Sequence, residues 1–279
     1  MASIDLTRLN QQIDKLAQLY QDPLAFQNEF HSILSFYHRY SHKQQKESIP
    51  KSFLRHYDLP DKVLPHLEAR LTTLAKTSPE EIIDLIKQLW TDDYFESKEL
   101  SANLLGAIPI VYKEPVIEMI SSWLEQPLDR AVIKAIFTKA NQSLLQETPD
   151  EWKQLIDRLL LDGKIQNQKI GLEALAYLIP KSSTDDLPGF FRWIRPFLIS
   201  TNQDLDKPLL KVVTALTRQS EQETAYVLRE VLADSDDASI ASRIRRYLDL
   251  FEEETQKSLL TAIKNRASFN TNQKTQGNS

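Results

Sequence analysis

Apolar positions recur along this chain at helical spacing, and the helices they predict come in pairs. Ile240, Ile244, Tyr247, Leu248 and Phe251 fall on one face of an α-helix, and Leu172, Leu175, Ala176 and Ile179 do the same. Five segments share one plan: an amphipathic helix, a short polar turn, then a second amphipathic helix. The first helices end at Leu89-Trp90, Trp123-Leu124, Leu159-Leu160, Phe197-Leu198 and Val231-Leu232. Taking Leu89, Trp123, Leu159, Phe197 and Val231 as marks, the spacings are 34, 36, 38 and 34 residues. That is the length of two short helices with their turns, the period of a helical solenoid.

Helix starts are legible too. Ser78-Pro79-Glu80-Glu81, Thr148-Pro149-Asp150-Glu151 and Ser220-Glu221-Gln222-Glu223 each read as a capping box, with a hydroxyl at the cap and Glu three residues on. Ala102, Ala135, Ala174 and Ala215 hold similar places in successive second helices, where a small side chain lets neighbours approach. The expected fold is all-α, an α-solenoid of HEAT-like helical pairs forming an α-α superhelix. One such pair cannot bury its apolar face. Stacking buries a continuous core and leaves a concave surface lined by second helices. The expected organisation is N-terminal helices over residues 1–50, a repeat domain over 51–266 and a disordered polar tail over 267–279.

Composition narrows the function classes. The chain has 5 Gly in 279 residues, too few for the turns of a β or doubly wound protein. It has no Cys, which removes disulfides, thiolate metal sites and a Cys nucleophile. No run of about 18 apolar residues and no signal-like N-terminus is present, so a cytoplasmic protein without a membrane span is expected. The net charge of −5 argues against coating nucleic acid by bulk charge. Residues 1–76, however, carry 10 Lys and Arg against 8 Asp and Glu, so the N-terminal quarter is the more basic part.

The stretch from Phe53 to Pro109 resembles the bacterial DNA alkylation repair family, HEAT-like-repeat glycosylases that remove alkylated purines. The likeness is carried by FLRHYDLPDKVLPHLEARLTTLAK, Leu89-Trp90, Tyr94-Phe95-Glu96 and Leu100-Ser101-Ala102-Asn103-Leu104-Leu105. The order of later repeats extends it over roughly residues 53–250. In the excising members a Trp-Asp-x-Val-Asp segment carries the catalytic carboxylate, and the next repeat carries a Trp and an Arg that hold the DNA. The counterparts here are Leu128-Asp129-Arg130-Ala131-Val132 and Ile165-Gln166-Asn167-Gln168-Lys169. Asp129 matches the first Asp, Val132 stands at the catalytic position, and Gln168 stands where a cation is implied. A carboxylate is needed to stabilise the sugar cation as the glycosidic bond breaks, and Val132 cannot supply it. The resemblance therefore implies a divergent, non-excising relative that holds duplex DNA. A protein–protein interaction scaffold is one alternative. An active alkylpurine glycosylase with a displaced carboxylate, Asp129 first, is the other.

The candidate DNA contacts are cations near the first turns of the second helices, Lys98, Arg130, Lys169, Lys207 and Arg243, together with Arg39, Lys43 and Arg55 of the basic segment. Their competing reading is a set of solubilising charges, since Glu99, Asp129, Asp206 and Asp237 lie close by. His31, His38 and His42 share one helix face, but they extend about 16 Å along the axis. They read as a solvated face and not as a metal site. No cofactor is implied. Phe190 to Phe197 reads as core aromatics around Arg192 and Arg195.

Overall fold

The computed structural model describes residues 5–39, 54–235 and 237–276, with side chains described up to residue 266. Fifteen α-helices occupy most of this length. Among the described residues the only β contact is an isolated parallel bridge between Arg55 and Tyr94. The fold class is all-α. No described helix is long and apolar enough to cross a membrane.

The five expected pairs are all helical. They are α4 (Pro79–Trp90) with α5 (Phe95–Ala107); α6 (Lys113–Leu124) with α7 (Arg130–Ala135) and α8 (Gln142–Glu147); α9 (Pro149–Leu161) with α10 (Ile165–Leu178); α11 (Leu187–Ile199) with α12 (Asp206–Gln219); and α13 (Glu221–Asp234) with α14 (Ala238–Arg245). Before them come α1 (Leu6–Ala17), α2 (Pro23–His38) and α3 (Val63–Thr77). The last helix, α15 (Glu253–Gln276), continues through residues 267–276, which were expected as a disordered tail.

By internal contacts the chain forms two compact units, Met1–Lys153 and Gln154–Ser279. In the first, α3 packs on α1 and α5, α5 packs on α7, and α2 packs on α4. The division does not fall at residue 50, because α1 and α2 bury Leu9, Leu16, Phe26 and Phe30 completely and need α3 and α4 to do so. In the second unit α10 packs on α12, α11 on α13, and α13 on α15. Helices in both units thus pack on the next helix but one. This alternation is what apolar stripes on consecutive amphipathic helices require.

Two local expectations are corrected. Ser220 caps α13 as expected, its hydroxyl accepting from the Glu223 N–H at 3.4 Å. Ser78 stands at the cap of α4 without a side-chain capping bond, its hydroxyl instead lying 3.5 Å from the Tyr20 hydroxyl. The Thr148 hydroxyl is buried without a partner. The stripe Ile240, Ile244, Tyr247 and Phe251 is buried, but α14 ends at Arg245, so a 3-10 turn at Leu248–Leu250 delivers its last members.

The four alanines are buried, and beside Ala102 the close approach they predicted becomes extreme. After α7 the chain widens into a π-helical turn, Ile136–Ala140. Gly106 of α5 faces that turn so closely that a Cβ built on it would lie 1.9 Å from the Lys139 carbonyl oxygen. The obstructing atoms are backbone, so nothing can swing aside. Gly106→Ala is expected to destabilise the first unit by about 3 kcal/mol or more. Gly189, in the first turn of α11, has open space at its Cβ, and Gly189→Ala should stabilise by about 0.5–1 kcal/mol. Urea denaturation of both variants checks the contrast. Equal midpoints would remove the close contact.

Candidate functional site

The first unit contains a rigid aromatic and polar framework. Residues 54–59 run without helix beside the turn between α4 and α5. The Arg55 N–H donates to the Asp93 carbonyl and the Phe95 N–H donates to the Arg55 carbonyl, each at 2.9 Å. Tyr57 then stacks on Tyr94, with ring centroids 4.5 Å apart and planes 17° apart. The Tyr57 hydroxyl lies 2.9 Å from His31 Nδ1, and His31 Nε2 lies 2.7 Å from Asp92 Oδ2. With Nε2–H donating to Asp92, Nδ1 of a neutral ring accepts from the tyrosine; a charged ring donates to both. His38 Nδ1 meets the Tyr57 carbonyl. Burial would raise the Asp92 pKa, but the hydrogen bonds from His31 and Ser97 and the His31 charge outweigh it and hold the group at about 2. Of the histidines expected on a solvated face, His31 and His38 therefore form a clamp on Tyr57. His31 is half-buried, and its partners come from two other parts of the sequence.

Next to this framework, Trp90 at the end of α4 stacks on Trp123 near the end of α6, with centroids 3.7 Å apart and planes 8° apart. The Lys98 ammonium sits 4.7 Å from the centre of the Trp90 ring and donates to the Trp90 carbonyl. A cation–π contact of this kind contributes about 0.5–2 kcal/mol. Burial lowers the Lys98 pKa, opposed by the charges of Asp92 and Asp93. Lys98 is thus a fixed charge with limited reach. It lines a cavity of about 280 Å³ with Leu54, Pro127, Leu128, Asp129 and Val132. The cavity is mostly apolar, with one cation and one carboxylate on its walls. Val132 is fully buried. Asp129 stands at the N-cap of α7 without a side-chain capping bond.

The other expected contacts fall unevenly. Arg130 is exposed on the first turn of α7, next to Asp129. Arg55 is exposed, with its guanidinium 5.9 Å from the Tyr94 ring centre. Arg39 is exposed just after α2. Lys43 lies outside the described residues, as do Tyr40, His42, Lys46 and Lys51. In the second unit, Lys207 is exposed and Lys169 sits 3.8 Å from Asp204.

Arg243 is a correction. It is 3% exposed, it donates to Asp206 Oδ1 at 2.7 Å, and its remaining nitrogens donate to the carbonyls of Phe197, Leu198 and Asn202. A guanidinium so placed satisfies the carbonyls at the end of α11 and cannot reach a phosphate.

A model of the family described as DNA alkylation repair enzyme matches residues 62–207, more than half of the chain. The chain belongs to this family. No curated protein gives a significant match. The matched stretch runs from α3 to the start of α12, so the Trp90–Trp123 stack, Lys98, Asp129 and Val132 lie within it, while His31, Arg55 and Arg243 lie outside. Membership supports a role related to DNA repair. By the family resemblance, Gln168 is expected where a cation is implied. It lines a cavity of about 650 Å³ in the second unit, and the fold brings Arg192 and Trp193 to the same cavity. Spacing along the sequence could not show this, because Arg192 belongs to the following helix pair.

The sequence reading missed His31, Tyr57, Asp92 and the tryptophan stack as elements of one site. Leu89-Trp90 and Trp123-Leu124 were visible as helix-end marks, but nothing in either segment signals that the two rings touch. The folded pKa of Asp92 lies below its ordinary value of 3.8. Its contribution to stability is therefore complete above that ordinary value and is lost as pH falls through about 2. Asp92→Asn should cost about 1.5–3 kcal/mol at neutral pH, the worth of hydrogen bonds to a charged group. It should also flatten the loss of stability between pH 4 and about 2. Urea midpoints measured across that range check this, and a variant that keeps the wild-type acid slope would contradict the clamp.

Proposed function

We propose that this member of the DNA alkylation repair enzyme family binds duplex DNA without excising bases. The observation that carries the reading is Val132. At the position where the family resemblance implies the catalytic carboxylate stands a fully buried aliphatic side chain. Among the described residues, Asp129 is the one acid lining that cavity. A glycosidic bond breaks with positive charge developing on the sugar, and an apolar wall does not stabilise it. Retention of DNA binding is supported by cations on the segments that line the cavity. Arg55 and Arg130 are exposed, Lys134 is exposed one turn further along α7, and Lys98 is fixed in the wall. Arg39 and Lys43 belong to the same proposal, and Lys169 and Lys207 are candidate contacts of the second unit by itself. Arg243 is not among them.

Binding through phosphates carries no base information, so affinity should vary little with sequence. It should fall with salt, at a log–log slope of about −0.9 per phosphate contacted. The expected outcome for Arg55→Glu, Arg130→Glu and Lys134→Glu combined is a shallower slope and roughly 10-fold or more weaker binding by fluorescence anisotropy. The control pair Lys257→Glu and Lys264→Glu, on α15, should change binding little. Absence of binding at low salt, or equal weakening by both sets, would replace this reading with a protein–protein interaction scaffold.

Chemistry is tested separately. Purified protein incubated with methylated duplex DNA should release no alkylated base above background. Release that disappears in Asp129→Asn would establish the displaced-carboxylate glycosylase instead.

A further inference from the structure

We infer that a second cavity of the first unit is a binding site for a guanidinium group. The cavity has a volume of about 380 Å³, within the range of small-molecule sites. Among the described residues it is lined by five carboxylates, Asp58, Asp61, Glu68, Glu96 and Glu99, and by a single lysine, Lys139. That lysine is already committed within the protein. Its ammonium donates to Glu68 Oε1 at 2.5 Å and to Glu99 Oε1 at 2.7 Å. Among the described residues that line the cavity, the carboxylates of Asp58, Glu68, Glu96 and Glu99 face this one ammonium.

A cluster of acids on a surface is ordinarily a solvated patch. Glu96 distinguishes this one. It lines the cavity and is only 5% exposed. Its Oε1 accepts from the Tyr57 N–H at 2.8 Å, but its Oε2 is buried with no hydrogen-bond partner. A buried carboxylate oxygen without a partner carries the full penalty of desolvation unless a donor arrives. Burial raises the pKa of both Glu96 and Glu68, and at Glu68 it prevails over Lys139.

The shape of the missing cation follows from the walls. Among the described residues, no group of three His, Cys, Asp or Glu side chains could hold a metal ion. The carboxylates instead surround a space also lined by His56 and Phe95, whose ring centroids are 5.1 Å apart and whose planes are inclined by 33°. A guanidinium is planar and weakly hydrated, stacks on aromatic faces and presents five N–H donors to several acceptors at once. An ammonium is a strongly hydrated point charge and matches such a site less well. The guanidinium could belong to a free small molecule or to an arginine side chain of a peptide. In either case it sits apart from the cavity of Lys98 and Asp129, and the inference does not rest on DNA binding.

The test is isothermal titration of the full chain with n-butylguanidinium, n-butylammonium and the blocked tripeptide acetyl-Gly-Arg-Gly-amide. Butylguanidinium should bind saturably and at least about 5-fold more tightly than butylammonium, the margin expected for forked hydrogen bonding over a point charge. Glu96→Gln should weaken it by about 10-fold or more. Because Glu96 is buried, its variant is paired with Asp58→Asn combined with Asp61→Asn, both exposed positions. Asparagine tolerates the positive φ of 47° at residue 58 as aspartate does. That double variant should also weaken binding, while Glu118→Gln on α6 should not. Tripeptide affinity equal to or above that of butylguanidinium assigns the site to an arginine of a protein; a much weaker tripeptide assigns it to a free small molecule. No saturable binding, equal affinity for butylammonium, or full affinity in both the Glu96 and the Asp58/Asp61 variants would overturn the inference.

Discussion

The first unit depends on one close contact. Gly106 lets α5 come against the carbonyl of Lys139, at a distance no other residue permits. That carbonyl belongs to the π-helical turn after α7, where the backbone widens by one residue. Lys139 lies in the same turn, and its ammonium bridges Glu68 of α3 and Glu99 of α5. Three elements are thereby tied by one turn: backbone packing on one side, a half-buried ion pair on the other. Such a pair contributes more to fixing geometry than to net stability, since removing its charges from water offsets much of their attraction.

Around α5 the charge is divided. Lys98 lines one cavity, and Glu96 and Glu99 line the other. Positions on one helix separated by one or two residues point in different directions, so a single short helix can furnish a wall with positive charge and a wall with negative charge. The segment 54–59 contributes to both, with Leu54 at the first cavity and His56 and Asp58 at the second. The clamp of His31, Tyr57 and Asp92 holds that segment in place, and the stack of Tyr57 on Tyr94 ties it to the start of α5. Both cavities therefore rest on the same polar framework, although the ligands proposed for them have opposite charge.

The family assignment and the chemistry of the site are separate matters. The matched stretch follows the helical scaffold, whose core is built from apolar positions at helical spacing. Catalysis in such a scaffold depends on one or two side chains facing a cavity. On the reading proposed above, Val132 in place of a carboxylate leaves the core intact, because valine is well accommodated in a buried position, and would remove the electrostatic means of stabilising a sugar cation. The scaffold and the chemistry can therefore diverge independently.

The periodicity of apolar residues was sufficient to place the helices of the five segments and the all-α class, because burial of one helix face is written locally at three- and four-residue spacing. The same logic picked out the buried alanines and the cap at Ser220. It failed where partners are distant in the sequence. Arg243 reads as a surface cation at a helix start, yet the carbonyls that bury it belong to Phe197, Leu198 and Asn202. His31 reads as part of a solvated stripe until Asp92 and Tyr57 are brought to it. The Trp90–Trp123 stack, the π turn at Lys139 and the orphan oxygen of Glu96 have no local signature at all. A side chain's charge and polarity belong to the sequence, but whether it meets water, a ligand or another side chain depends on which helices pack beside it, and only the tertiary structure decides that.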